Sequence, residues 1–528
     1  MDIKFLGAAR TVTGSAYYLN APQLKLLVDC GMFQGNRKVQ ERNTATHFPP
    51  LKDIPYLLLT HTHIDHIGLI PLIVKKGFRG KIIATEGTCE LAEIMLRDSA
   101  HIQEMDAEWQ NRKNQRSGRG HTEPLYTVKD VDYCLKYFSP VAYDQMIELT
   151  PEAQVRFKDV GHILGSAVIE FWWKNRDDQF KLVFSGDIGN WEQPIIRDPS
   201  SIEEADFLII ESTYGNRLHK SMEDTEKEMA GIVKQAVQDR AKVIIPAFAL
   251  ERTQDVIYTL GNLYRSGQIP PVPVYIDSPL ATAVTEIFKR HPGYFDDETR
   301  LMMEGGKSPL EFPGLVFTRT SEESKKINEK QEAAIVISAS GMCDAGRIRH
   351  HLKHNLWKPE AHIVFIGYQA AGTLGRELIE GKKSVKILGE EVQVKANIHT
   401  LGGFSAHSDQ NGLLKWLSNF KNPAMTVFVV HGEEQVSLAF AEIVKERFKF
   451  SVIVPQWKEV FELKKWNILP QTEEYAGLFD TLALLEGNIQ KIKRGVIEKK
   501  LERGEKQERI FQKIRDLNSD LEEALRSS

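Results

Sequence analysis

The sequence predicts an α/β protein in which one layered domain is interrupted by a second, parallel-sheet domain. Three observations predict it. Strand-like runs up to Glu211 repeatedly end at a His, Asp or Glu. From about Thr213 the pattern becomes a regular alternation of strands and helices, the mark of βαβ units. After about Leu388 the His- and Asp-rich strand ends return, which an insertion explains better than two independent domains do. The expected divisions are 1–210 and 389–460 for the interrupted domain, 211–388 for the insertion and 461–528 for a C-terminal helical extension.

The elements follow in order. Ile3, Phe5 and Leu6 precede the turn-rich GAARTVTGS, and AYYLN and LKLLVDCG then suit a pleated surface. LLVDCG ends at Asp29 and Gly31, where a strand gives way to a loop. The buried strand IPYLLLTH runs straight into HTHIDHIG and a helix-like stretch from Leu69 to Lys76. GKIIAT, QVRFKDVGH, AVIEFWW, FKLVFSGD and ADFLIIEST read as further strands. Beyond them, the helical MEDTEKEMAGIVKQAVQDRA leads into KVIIPAFA, VPVYIDSP, AAIVISAS and AHIVFIGY, a parallel-sheet succession. HTLGGFSAHSD and MTVFVVHGEE carry the return. From about Gly487 the tail is charged, and Ile510, Ile514, Leu517, Leu521 and Leu525 make one apolar helical stripe.

Bulk properties agree with this division. At 528 residues the chain exceeds one ordinary core, since domains hold roughly 100–200 residues. A formal net charge of -4 means that a nucleic-acid partner is held by a local patch or by metal ions. Cys30, Cys89, Cys134 and Cys343 are scattered without a CxxC pair, as reduced thiols are. MDIKFLGAAR has no apolar leader core, and no apolar run approaches a membrane span, so a cytoplasmic protein with no membrane partner is expected.

The chemistry concentrates in His61-Thr62-His63-Ile64-Asp65-His66, directly after an apolar strand. Imidazoles and a carboxylate suit Zn²⁺, and also Fe or Mn. At a strand-to-loop junction His61 and His63 can point to one side, and the following turn can aim Asp65 and His66 at a second ion. His162 in DVGHILGS and Asp187 in FSGDIG supply further ligands, and a carboxylate such as Asp187 can bridge two ions. Asp29 is expected to orient a ligand histidine through a hydrogen bond.

Asp29, HTHIDH, His162 and Asp187 in this order resemble the signature of the metallo-β-lactamase superfamily. That resemblance implies an αββα sandwich with metals at one sheet edge. Glu211 in IIESTYGNR, His407 in GFSAHSD and His431 in VVHGEE further resemble the extra motifs of the β-CASP nucleases, over residues 1–460. The FSAHSD and VHGE forms are similar to the cleavage and polyadenylation specificity factor nuclease and its bacterial relatives. Carried over, the resemblance implies two Zn²⁺ per chain: His61, His63, His162 and Asp187 on one, and Asp65, His66, Asp187 and His431 on the other. It implies a bridging hydroxide as nucleophile, Asp65, His407 and Glu211 as catalytic residues, and His407, held by Glu211, as donor to the leaving oxygen. The implied activity is an endonucleolytic ribonuclease of RNA processing or decay, leaving a 5′-phosphate and a 3′-hydroxyl. His431 favours RNA over DNA, because the DNA-repair branch carries a hydrophobic residue there.

Single-stranded RNA is the expected partner. Arg347 and Arg349 in GMCDAGRIRHHLKHNLWK, Arg376 after GTLG and Arg252 in PAFALERTQD are the candidate backbone contacts. Arg347, His351 and His354 are expected on one helix face, and the amides opening the ELIE helix are expected to receive a phosphate. The loop Arg10, Thr11, Thr13, Gly14 and Ser15 would border the site. The C-terminal stripe is a dimerisation or protein-partner helix, or packs on its own chain; related enzymes are often homodimers. Three rivals stand beside this account. A thioesterase or lactonase shares HTHIDH but does not need Glu211, His407 and His431. A DNA nuclease is disfavoured by His431. A non-catalytic scaffold would have lost ligands, and none is lost here.

Overall fold

A computed structural model describes residues 1–464, apart from Asn36, Asp177, Tyr368 and Ala371, together with Gln512. The expected apolar stripe at Ile510, Ile514, Leu517, Leu521 and Leu525 lies outside the described residues.

The N-terminal strands and the chain's return form one seven-stranded sheet, in the order Val460–Glu462, Asp2–Phe5, Tyr17–Ala21, Leu24–Val28, Tyr56–Leu58, Lys81–Thr85, Phe138–Val141. A second seven-stranded sheet runs Ser451–Ile453, Thr426–Val430, Phe207–Glu211, Gln179–Phe184, Ala167–Lys174, Ala153–Asp159, Ile147–Thr150. Successive side chains on a strand point to opposite faces, and the packing follows that rule. Leu26 and Leu58 join Phe157, Ile169, Phe184 and Phe428 between the two sheets. Their neighbours Leu27 and Leu57 point outward, against Ile73 and Leu96 of covering helices. On the far side Leu208 and Val429 pack against Trp416 and Phe440. The result is four layers, αββα.

The third sheet has six parallel strands, in the order Leu315–Phe317, Val274–Ile276, Ala334–Ser338, Lys242–Pro246, His362–Phe365, Asn397–Thr400. A parallel sheet is buried on both faces, which accounts for its unbroken apolar runs. Val243 and Ile245 face one core and Ile244 the other.

The strands that flank the insertion are neighbours in space. Phe207–Glu211 pairs in parallel with Thr426–Val430, with Glu211 opposite Val430. The chain therefore leaves the second sheet at Glu211 and re-enters it beside the strand it left. The expected return point near Leu388 falls in a small hairpin, Ser384–Ile387 with Glu390–Gln393, and the third sheet ends only at Thr400. The helix-like stretch expected from Leu69 to Lys76 is the helix Ile70–Lys75, and a separate short helix, Ile64–Ile67, lies within the motif itself. No helix among the described residues is long and apolar enough to cross a membrane.

Candidate metal centre

The two sandwich sheets bring their strand ends to one edge. Tyr56–Leu58 leads to His61, Ala153–Asp159 to His162, Gln179–Phe184 to Asp187, and Thr426–Val430 to His431. Backbone contacts draw these loops together. Ser15 N donates to Asp65 O at 2.7 Å, Cys30 N to His66 O at 2.7 Å and His431 N to Ala8 O at 2.7 Å. A Cβ on Gly31 would stand 1.6 Å from the Asp65 carbonyl oxygen, so only glycine lets the Asp29 loop close on the motif. Asp29 and His431 both take positive φ, 57° and 48°, conformations that non-glycine residues keep where the surroundings hold them.

His61 Nε2 lies 3.1 Å from His63 Nδ1, which lies 3.2 Å from His162 Nε2. Asp187 Oδ2 completes this set at 3.3 Å from His61 Nε2 and 3.6 Å from His162 Nε2. Across the carboxylate, Asp187 Oδ1 lies 3.4 Å from His66 Nε2 and 3.5 Å from His431 Nδ1. His66 Nε2 and His431 Nε2 are 3.1 Å apart, and Asp65 Oδ2 is 3.4 Å from His431 Nε2. Ligand nitrogens at about 2.0–2.1 Å from a tetrahedral ion stand about 3.3 Å from one another, and the spacing in the first set matches. Asp187 Oδ1 is buried without a hydrogen-bond donor, an orphaned acceptor facing the second set. These residues could hold divalent metal, with one oxygen of Asp187 facing each set.

The far nitrogens decide which lone pairs face inward. His162 Nδ1 donates to Ala406 O at 3.3 Å, and His66 Nδ1 donates to Asp29 Oδ2 at 2.8 Å, so both Nε2 atoms are free acceptors when neutral. Asp29 is itself fixed by Thr60 N at 2.9 Å and by the Ser15 hydroxyl at 3.1 Å. Thr213 Oγ1 lies 3.1 Å from His431 Nδ1. Burial drives the pKa values of His61 and His63 down to about 3 and about 4, and that of His162 well below its ordinary value, which keeps them in the ligand form. Burial opposes ionisation of Asp187, but the imidazoles of His431 and His66 hold it well below the usual carboxylate range. Burial pulls His66 down, yet the Asp187 and Asp29 carboxylates outweigh it and raise the pKa well above its ordinary value. To serve as a ligand through Nε2, His66 would have to give up that proton.

One imidazole stands at the rim of both sets. His407 is held at Nδ1 by Glu211 Oε2 at 3.1 Å, and its Nε2 lies 3.9 Å from Asp187 Oδ2. Glu211 is fixed in turn by Ile188 N at 2.5 Å. Burial lowers the His407 pKa, but the carboxylates of Glu211 and Asp187 outweigh it and raise the value to about 9. His219 Nε2 donates to His407 O at 3.0 Å and steadies the same loop.

Residues 9–130 match the Metallo-beta-lactamase superfamily, 253–378 the Beta-Casp domain, and 391–455 the Zn-dependent metallo-hydrolase RNA specificity domain. Ribonuclease TTHA0252 of Thermus thermophilus is 39% identical over 448 residues, covering 85% of this chain and 96% of the relative. The chain belongs to the β-CASP ribonuclease branch of the metallo-β-lactamase superfamily. Transcription termination factor FttA of Methanocaldococcus jannaschii is 30% identical over 478 residues, 88% of this chain and 72% of that protein. An RNase J-like protein of the same organism is 27% identical over 456 residues, 86% of this chain and 97% of the relative.

The β-CASP domain treats the expected RNA-binding residues unequally. Arg349 and Arg376 are partly exposed, near Asp344 O at 3.4 Å and Glu380 at 2.6 Å. Arg252 is corrected: it is 5% exposed, with its guanidinium on Phe404 O and on Asp255 at 2.9 Å, so it presents no face to a strand of RNA. Arg347 donates to the buried Asp277 at 2.7 Å and to Arg319 O at 3.0 Å. His351 shares that face with Arg347, as expected, but the face turns inward: His351 is buried with Nε2 2.6 Å from Asp277 Oδ2. The amides opening the ELIE helix are already taken. Leu374 N goes to Asp344 Oδ1 at 3.3 Å, Gly375 N to Met342 O at 3.1 Å and Arg376 N to Thr373 Oγ1 at 3.2 Å, so a phosphate finds no free donor there. The Arg10–Ser15 loop borders the metal centre through its backbone and Ser15, while Arg10 turns away to Glu434 at 2.6 Å.

Reasoning from the sequence alone did not pick out Thr60, Thr213, His219 or Glu251. Thr60 adjoins the motif and was open to notice on that ground. The other three carry no local signal, because their partners lie in distant segments.

Proposed function

We propose that this chain is a zinc-dependent ribonuclease that holds two Zn²⁺ and cuts single-stranded RNA internally, in RNA processing or decay. The observation that carries this is His407. A ring held by Glu211 at one nitrogen and standing beside Asp187 at the other is poised to give a proton to a departing oxygen. It comes from the segment beyond the inserted domain, which hydrolysis of a small lactone or thioester does not require.

His61, His63, His162 and Asp187 would hold one zinc, and Asp65, His66, His431 and Asp187 the other. When bound, such a pair supplies Lewis acidity on the phosphoryl oxygens and lowers the pKa of a water. The protein's own contributions are positional and protonic. Asp29 fixes the His66 ring, Asp187 sets the two ligand groups back to back, and Glu211 holds the His407 Nδ1 proton. His407 Nε2 then delivers its proton to the 3′-oxygen as the P–O3′ bond breaks, leaving a 3′-hydroxyl and a 5′-phosphate. Arg349 and Arg376 are assigned to the RNA backbone, where they position without reading bases.

A substrate panel tests this directly. Single-stranded RNA should be hydrolysed well ahead of DNA of the same sequence, a thioester and a lactone. Turnover of the thioester or lactone above RNA would replace a ribonuclease with a small-molecule hydrolase.

A further inference from the structure

The helix Arg252–Arg265 starts on an unusual turn. Glu251 sits at φ 65° and ψ -58°, and Arg252 N donates to Leu250 O at 2.9 Å. This is the rare, strained hand of γ-turn. The turn drives two adjacent charged side chains, 1% and 5% exposed, into the boundary with the sandwich domain. Glu251 offers no cap to its own helix. Its Oε2 instead accepts from Leu164 N at 3.0 Å, two residues beyond His162. Arg252 Nη1 donates to Phe404 O, three residues before His407. The two loops also meet, because His162 Nδ1 reaches Ala406 O at 3.3 Å. Neighbouring residues on one helix start therefore close a ring through both loops.

The arrangement is costly as mere packing. Glu251 Oε1 and Arg252 Nε are buried without hydrogen-bond partners, and unsatisfied buried polar atoms oppose folding. Strained backbone and unsatisfied buried polar atoms cluster at functional sites. The His162 loop is also braced from its own domain, by the Thr85 and Thr88 hydroxyls on Gly165 O at 2.6 and 2.8 Å. What Glu251 adds is the setting of that loop against the inserted domain.

We propose that Glu251 and Arg252 are positioning residues for RNA cleavage: from the inserted domain, Glu251 sets the loop that carries His162, and Arg252 sets the loop that carries His407. This rests on the reading of His162 as a metal ligand and His407 as the proton donor.

The test pairs RNA with bis(p-nitrophenyl) phosphate, whose leaving group departs without a proton. In the full-length zinc-loaded protein, His407→Ala should lower kcat on RNA by roughly 10²-fold or more and largely spare the nitrophenyl ester. Arg252→Gln should show the same selective loss, roughly 10–100-fold, with KM little changed. Combined with His407→Ala it should cost almost nothing further. Glu251→Ala should weaken metal retention by roughly tenfold, read as zinc per chain after dialysis against a chelator, and Glu251→Gln, which keeps the acceptor for Leu164 N, should restore it. Should Arg252→Gln not fold, Arg252→Lys enters the same cycle and should show a smaller loss of the same selectivity. Losses on both substrates alike, or full additivity with His407→Ala, overturn the role of Arg252. Metal retention equal in Glu251→Ala and the parent overturns that of Glu251. If His407→Ala itself slows both substrates equally, the proton-donor reading fails first and takes the Arg252 role with it.

Discussion

Asp187 joins the candidate centre because its two oxygens face different ligand sets, Oδ2 toward His61 and His162 and Oδ1 toward His66 and His431. Its neighbours are held by residues that touch no metal set themselves. Asp29 reaches the far nitrogen of His66 at 2.8 Å, so, on the proposed two-metal reading, Asp29→Ala should weaken metal binding at the His66 set roughly 10–100-fold while sparing the His61 set. Stepwise zinc titration reads this, and two unchanged affinities would contradict it. His407 gives a pH signature. Its pKa is raised to about 9 by Glu211 and Asp187 against the pull of burial, so the ring is protonated below that pH and loses its proton above it. Cleavage that needs the proton should fall as pH rises through that range, earlier if bound cations lower the value. His407→Ala should abolish that alkaline limb, and an identical limb in the variant would assign it to another group.

At the scale of elements, ligands sit where strands end and functional loops start. HTHIDH was legible because four ligand-type residues crowd into six positions after an apolar run. Glu211, His407 and His431 became legible only through resemblance, since each is alone in its segment. Two of the four candidate arginines, Arg252 and Arg347, turn out to be engaged within the protein, for a physical reason. A basic residue at a helix start looks solvent-facing in sequence, but Arg252 meets the Phe404 carbonyl 152 positions onward, and Arg347 meets Asp277 70 positions back. Burial opposes ionisation of Asp277, yet hydrogen bonds from His351, Ser324, Thr318 and Arg347 hold it well below the usual carboxylate range. Arg347→Ala should thus destabilise the fold by about 1–3 kcal/mol and leave the salt dependence of RNA binding unchanged. Thermal unfolding and a salt titration separate the two, and a shallower slope at unchanged Tm would return Arg347 to the RNA surface. The helix Glu86–Ser117 went unseen in sequence because Ile102, Met105 and Trp109, 38%, 57% and 57% exposed, blur its apolar stripe.

Over the whole molecule, the inserted domain leaves and rejoins the second sheet at adjacent strands, which places its first and last segments beside the metal centre. Glu211 marks the exit and His431 follows the strand of return, while His407 lies between the third sheet, which ends at Thr400, and the helix Gln410–Leu417. The alternation of strand types announced that insertion in the sequence, whereas the contacts across the boundary could not be read, being made by Leu164, Phe404 and Ala406 through backbone atoms. The central claim is that one Asp187-centred cluster makes this chain a metal-dependent ribonuclease. The most direct measurement resolves the products of a 5′-labelled single-stranded RNA on a sequencing gel, with and without chelator, beside Asp187→Ala assayed for bound metal. Internal cuts that vanish with chelator, and a variant that has lost both metals and all cleavage, are the predicted result. Cleavage that survives the loss of Asp187, or a metal-loaded parent that leaves RNA intact, would contradict it.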